Sequence, residues 1–115
     1  MYSIHLSDAQ ILDLVGRKVQ VMVGLDRLES DKLTVGVTEV PPQSEMMPHT
    51  HDDREEIIFI LEGSGNVIID GTTIAFEPMT AIVFPQGKEH QVINMSKNAL
   101  KFVFIFNGVN HFNTR

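Results

Sequence analysis

Punctuation constrains this chain more than any other feature. Short runs of alternating apolar and polar residues are cut by proline, glycine and Asp-Gly turns. The cuts fall at spacings of roughly 8–12 residues, the rhythm of an all-β sandwich or barrel. Val19, Val21 and Val23 alternate with Lys18, Gln20 and Met22, and Leu33, Val35 and Val37 alternate with Thr34, Gly36 and Thr38. Successive strand side chains point to opposite faces, so each run offers one face to a core. Pro41-Pro42 ends the second run, because proline cannot donate to a ladder. Residues 45–51 read as a short strand interrupted by Pro48, and Glu56–Glu62 as a strand closed by Gly63-Ser64-Gly65. Residues 67–69 and 72–76 flank Asp70-Gly71, a two-residue type I′ loop that needs positive φ at both positions. Residues 80–84, 91–95 and 100–106 bring the total to about nine strands.

The start of the chain reads differently. Ser7-Asp8-Ala9-Gln10 has the form of a capping box, with Ile11, Leu12, Leu14 and Val15 at helical spacing and Gly16 as the stop. This predicts a short N-terminal helix of about two turns. The expected organisation is a single domain over 1–115: a helical segment 1–17, a β-barrel 18–107 and a tail 108–115. Two sheets of a jelly roll, curled into a small barrel, would accommodate the strands.

Composition excludes several classes. The net charge is −6 with no basic cluster, which argues against nucleic acid as a partner. The chain has no cysteine, so disulfides and thiolate metal sites are ruled out. No apolar run exceeds the five residues 57–61, too short to cross a bilayer. The first residues lack a basic stretch followed by an apolar one, so no secretion signal is expected and a cytoplasmic setting is.

The chemistry concentrates in Pro48-His49-Thr50-His51-Asp52-Asp53-Arg54-Glu55-Glu56. Two histidines at i and i+2 share one face of a strand. The polar run Asp52-Asp53-Arg54 suits a reversal, after which Glu56 opens the next strand beside them. A fourth donor, His90, follows the turn Pro85-Gln86-Gly87. Three imidazole nitrogens and one carboxylate oxygen form a ligand set that leaves an octahedral ion two open positions.

These residues resemble the two motifs of the cupin superfamily. His49, His51, Glu56 and Gly63 match the first, and Pro85, Gly87, His90 and Asn94 match the second. Fifteen residues separate Gly63 from Met79, similar to the compact microbial form. Two family glycines are replaced, by Gln43 and Met79, both at turn positions. The resemblance implies a double-stranded β-helix, the jelly-roll cupin barrel, with His49, His51, Glu56 and His90 as metal ligands. It implies one divalent transition ion per chain: manganese, iron, nickel, cobalt or zinc. Similar small cupins often pair, and outward-facing Ile57, Phe59 and Leu61 need covering, so a homodimer is expected.

Parity arguments extend inward from the motifs. Met47, Ile58, Phe102, Phe104 and Phe106 are the expected pocket-lining residues, though core packing is the favoured role for the phenylalanine stripe. Glu45 is expected to point inward with Met47, subject to the bend at Pro48. Arg54 and Glu55 are expected in a solvated turn, with an anion clamp as the other reading of Arg54. Asn94 is expected to fix local backbone, and His5 and His111 to lie at the surface. The function expected is metal-dependent, on a small oxygenated organic molecule, by oxidation of the dioxygenase type, decarboxylation, isomerisation or elimination. A sugar-binding or sensor module without turnover is the alternative, and a purely structural role ranks third.

Overall fold

The computed structural model describes residues 2–109. Ten strands appear in them: β1 (Gln10–Leu14), β2 (Arg17–Val23), β3 (Leu33–Val40), β4 (Ser44–Glu45), β5 (Glu56–Glu62), β6 (Gly65–Ile69), β7 (Thr72–Phe76), β8 (Ala81–Phe84), β9 (His90–Asn94) and β10 (Leu100–Asn107). They form two antiparallel sheets. The larger has the order β1-β2-β3-β10-β5-β8, and the smaller β4-β9-β6-β7. This is the all-β jelly roll expected, and Asp70 and Gly71 both take the positive φ required of their hairpin turn, at 49° and 82°.

The N-terminal helix is not formed. Only a 3-10 turn, Leu6–Asp8, precedes a strand, and the rest of the supposed helix is β1. Ser7 does not cap; its hydroxyl and its N–H both engage Nδ1 of His5. Val15-Gly16 is instead a two-residue hairpin loop, with Gly16 at φ 77° and Leu14 opposite Arg17. Ladder bonds to β2 outweigh the weak preference of an isolated two-turn helix. Ile11, Leu12, Leu14 and Val15 satisfy either period over so short a run. Leu12 and Leu14 reach the core.

The core lies between the sheets. β10 turns Leu100, Phe102, Phe104 and Phe106 inward, all buried, and keeps Lys101, Val103 and Ile105 outward. β5 does the same with Glu56, Ile58 and Ile60. Gly36 faces Phe104 across the β3–β10 ladder, and a Cβ there would strike that ring and the Gln20 carbonyl. Gln43 and Met79 hold φ of 48° and 69°. The backbone therefore keeps a left-handed bend although neither side chain is glycine, at about 1–2 kcal/mol each.

Asn94 ties the end of β3 to the turn that follows β9. Its buried amide nitrogen donates to the carbonyls of Val40, Pro41 and Asn98 at 3.1, 2.9 and 2.9 Å. Its oxygen accepts from the Ser96 N–H and hydroxyl at 3.0 and 2.8 Å. This is the backbone-fixing role expected of it. Asn94→Asp keeps the shape but turns an acceptor toward three carbonyls. It should cost at least about 2 kcal/mol in urea denaturation; an unchanged midpoint would contradict the role.

Candidate metal centre

The site begins with a break in a strand. Ser44 and Glu45 pair with β9, the Met46 N–H still donates to the Val92 carbonyl at 2.9 Å, and then the ladder slips. It resumes at His49, whose N–H and C=O exchange bonds with His90 at 3.0 and 2.9 Å. Three residues on one side thus span two on the other, a bulge at Met47-Pro48, where proline has no N–H to give. The bulge reverses side-chain parity. Met46 turns into the core, while Glu45 is exposed and Met47 is 68% exposed. The inward orientation expected for Glu45 and Met47 is thereby corrected, although Met47 does line the open cavity.

Beyond the bulge the segment is laced to the turn before β9. Gly87 N–H donates to the His51 carbonyl at 2.8 Å, and the Gln86 amide to that of Asp52 at 2.6 Å. Glu55 N–H donates to the Asn107 side chain at 2.9 Å and starts β5 in register, with Glu56 opposite Phe106 and Phe84.

The four expected ligands meet. One potential donor atom from each of His49, His51, Glu56 and His90 lies within 4.8 Å of every other, so the cluster could hold a metal ion. Oε1 of Glu56 is 3.2 Å from Nε2 of His51 and 3.9 Å from Nε2 of His90. Nε2 of His49 and Nε2 of His90 are 2.9 Å apart. Donors bonded at about 2.1 Å stand about 3 Å apart when adjacent, so these separations fit an ion.

Backbone carbonyls orient the rings. Nδ1 of His49 lies 3.0 Å from the Met47 carbonyl, and Nδ1 of His90 lies 3.4 Å from that of Lys88. Carbonyls only accept, so these contacts favour the tautomer with the proton on Nδ1, the one whose Nε2 can ligate an ion. The His90 ring is also stacked on Phe84, with centroids 4.2 Å apart and planes within 3°. At 2.9 Å the two Nε2 atoms are close enough to share one hydrogen bond in the metal-free protein or to ligate one ion side by side. The His90 pKa is lowered to about 4, chiefly by burial and then by His49, with Glu56 raising it in opposition and His51 lowering it further. A divalent ion fits the donor set.

The surroundings differ from the apolar cavity expected. Phe102, Phe104 and Phe106 fill the barrel and leave beside Glu56 and His49 a space of only about 10 Å³. Ile58 is fully buried in the core. The phenylalanine stripe is thus core packing, the favoured reading. The usable cavity, about 510 Å³, opens at the rim and has a mixed wall, bordered by Arg17, Met47, His49, Thr50, His51, Asp52 and Arg54 among others. Arg54 is not in a solvated turn. It is 5% exposed, with its guanidinium carbon 4.8 Å from the Phe106 centroid and Nη1 3.0 Å from the Asp53 carboxylate. Its planar cation stacks where a flexible ammonium would not.

Arg17 escaped sequence reasoning altogether. It borders both the open cavity and the small inner space. Burial lowers its pKa, and Glu56 raises it in opposition. The hairpin that places it was mistaken for a helix end. Of the two peripheral histidines, His5 is exposed, and His111 lies outside the described residues.

Comparison with known proteins agrees with this geometry. Residues 36–106 match the Cupin_2 family model, described as "Cupin domain". A germin-like protein, subfamily 3 member 1, of Arabidopsis thaliana is 29% identical over 83 residues, which is 68% of this chain and 40% of that protein. The chain thus spans well under half the length of that relative. KdgF from Halomonas sp. superposes with a TM-score of 0.79 at 16% identity, over 98% of this chain and 97% of that one. The polyketide cyclase RemF from Streptomyces resistomycificus gives 0.79 at 22%, over 93% and 79%. At these identities the two structures speak for the fold.

One pH dependence follows. A histidine depressed in the folded state binds its proton more readily when unfolded. His90 therefore favours the metal-free fold fully above about pH 6.5, its unfolded value. That contribution is lost as pH falls toward about 4. Urea denaturation of metal-free protein should show stability rising with pH across this window, and His90→Gln should flatten the rise. Equal slopes in both proteins would contradict the assignment.

Proposed function

This chain belongs to the cupin domain family, and on that premise we propose that it is a metal-dependent enzyme acting on a small oxygenated organic molecule. The observation that carries this reading is the meeting of the four donors beside the open cavity of about 510 Å³. His49, His51, Glu56 and His90 would hold one divalent transition ion. When bound, the ion supplies Lewis-acid polarisation of a substrate oxygen. The chain does the rest. The Met47 and Lys88 carbonyls orient two imidazoles and favour the binding tautomer. The Phe102–Phe104–Phe106 stripe closes the barrel behind the site, so substrate approaches from the rim. Asp52 borders the same cavity. Oxidation, decarboxylation, isomerisation and elimination all suit such a site.

We also propose that two copies pair through the outer face of the larger sheet, where Ile57, Leu61 and Val83 are exposed. Sedimentation as a monomer would remove this.

Reconstitution tests the main reading. Purified protein should take up about one equivalent of manganese, iron, cobalt, nickel or zinc. His51→Ala should weaken that uptake by more than about 100-fold without unfolding the chain. Less than about a tenth of an equivalent in the unaltered protein would end the metal reading. Small oxygenated acids, sugars and diketones, offered with and without oxygen, should then reveal turnover. Saturable binding with no product would establish the non-catalytic binding module instead.

A further inference from the structure

The open cavity beside the four donors has a charge pattern of its own. Two cations border it, Arg17 and Arg54. Arg54 is committed: it is buried, stacked on Phe106 and paired with Asp53 at 3.0 Å. Its Nε is buried with no hydrogen-bond partner, a cost that packing alone does not require. Arg17 is different. It is half-buried, and its guanidinium makes one long hydrogen bond, 3.4 Å, to the Val15 carbonyl. Among the described residues no carboxylate lies within ion-pair distance of it, although the Glu56 charge acts on it from farther off. A guanidinium held half out of water at a cavity wall, next to polar groups that converge on one point, presents a planar fork of donors to whatever enters.

The charges around the cavity select the anion. Arg17 and Arg54 contribute two positive charges; Asp52, Asp53 and Glu56 contribute three negative ones. The bare site is therefore net negative and repels anions. A divalent ion on the four donors turns it net positive by one, which a single carboxylate neutralises. A phosphate group, carrying about −1.5 to −2, overshoots and also meets the two rim aspartates.

We propose that Arg17 is the carboxylate-binding residue of this cavity and that the ligand is a small monocarboxylic acid with an oxygen on the adjacent carbon, a 2-oxo or 2-hydroxy acid. The inference rests on the metal reading above, since the adjacent oxygen needs the ion as its partner. Arg17 engages the carboxylate, Arg54 fixes the opposing wall, and Asp53 prevents Arg54 from competing for the same group.

Calorimetric titration of manganese-loaded protein tests this, with pyruvate, its neutral methyl ester and inorganic phosphate as probes and metal content measured alongside. Pyruvate should bind at least about tenfold tighter than either of the others. Arg17→Gln should weaken pyruvate roughly 10- to 100-fold, leaving methyl pyruvate binding and manganese content unchanged. Arg17→Lys should recover part of the loss, because it restores charge without the fork. The proposal is overturned if Arg17→Gln binds pyruvate like the unaltered protein, or if pyruvate binds no better than its ester or phosphate. Failure of the unaltered protein to take up manganese would instead remove the metal centre, and this inference with it.

Discussion

The donor site hangs on one backbone pair. His49 and His90 exchange N–H···O=C bonds at 3.0 and 2.9 Å, an isolated bridge outside the named ladders. It joins segments 41 residues apart and sets their side chains face to face. Everything polar in the site is arranged around it. The bulge before His49 exists because Pro48 cannot extend the ladder. The turn before His90 is held by the Gly87–His51 bond. Loosening this bridge would separate the donors while leaving both sheets intact.

Such a pairing is not written in local pattern, yet much around it is. Glu56–Glu62, the Asp70-Gly71 hairpin and the inward phenylalanines were legible because strand parity is strict and their turns have particular chemistry. The four donors were legible because His-x-His and a later carboxylate have few other reasons to stand at that spacing. Parity failed at Glu45–Met47 for a definite reason: one inserted residue exchanges the two faces. Ile11–Val15 failed because five residues fit a helix and a strand equally, and only contact with β2 decides. Missing β1 also concealed Arg17, since its position depends on the hairpin and on nothing in its own neighbours. Arg54 looked like part of a solvated turn because its partner, Phe106, is remote in sequence.

Gln43 and Met79 show how a family pattern can be lost in the letters and kept in the backbone. Both occupy turns where glycine would rest without strain. Flanking pairings hold them there. The Gln43 N–H donates to the Ser96 carbonyl at 3.1 Å, and the Met79 N–H to that of Ile60 at 2.8 Å. Long-range bonds thus impose a conformation that the residue itself disfavours.

The interior packed solid by Phe102, Phe104 and Phe106 has a consequence for how such a protein can change. The open cavity lies at the barrel mouth, and most of what keeps the chain folded lies beneath it. Substitutions at residues 50–53 or at the β1–β2 hairpin therefore alter the lining of that cavity while the hydrocarbon below stays undisturbed. Arg54 is the exception, because it belongs to both regions at once. Its replacement would disturb the packing on Phe106 and the cavity wall together, which makes it the position where change is most tightly constrained.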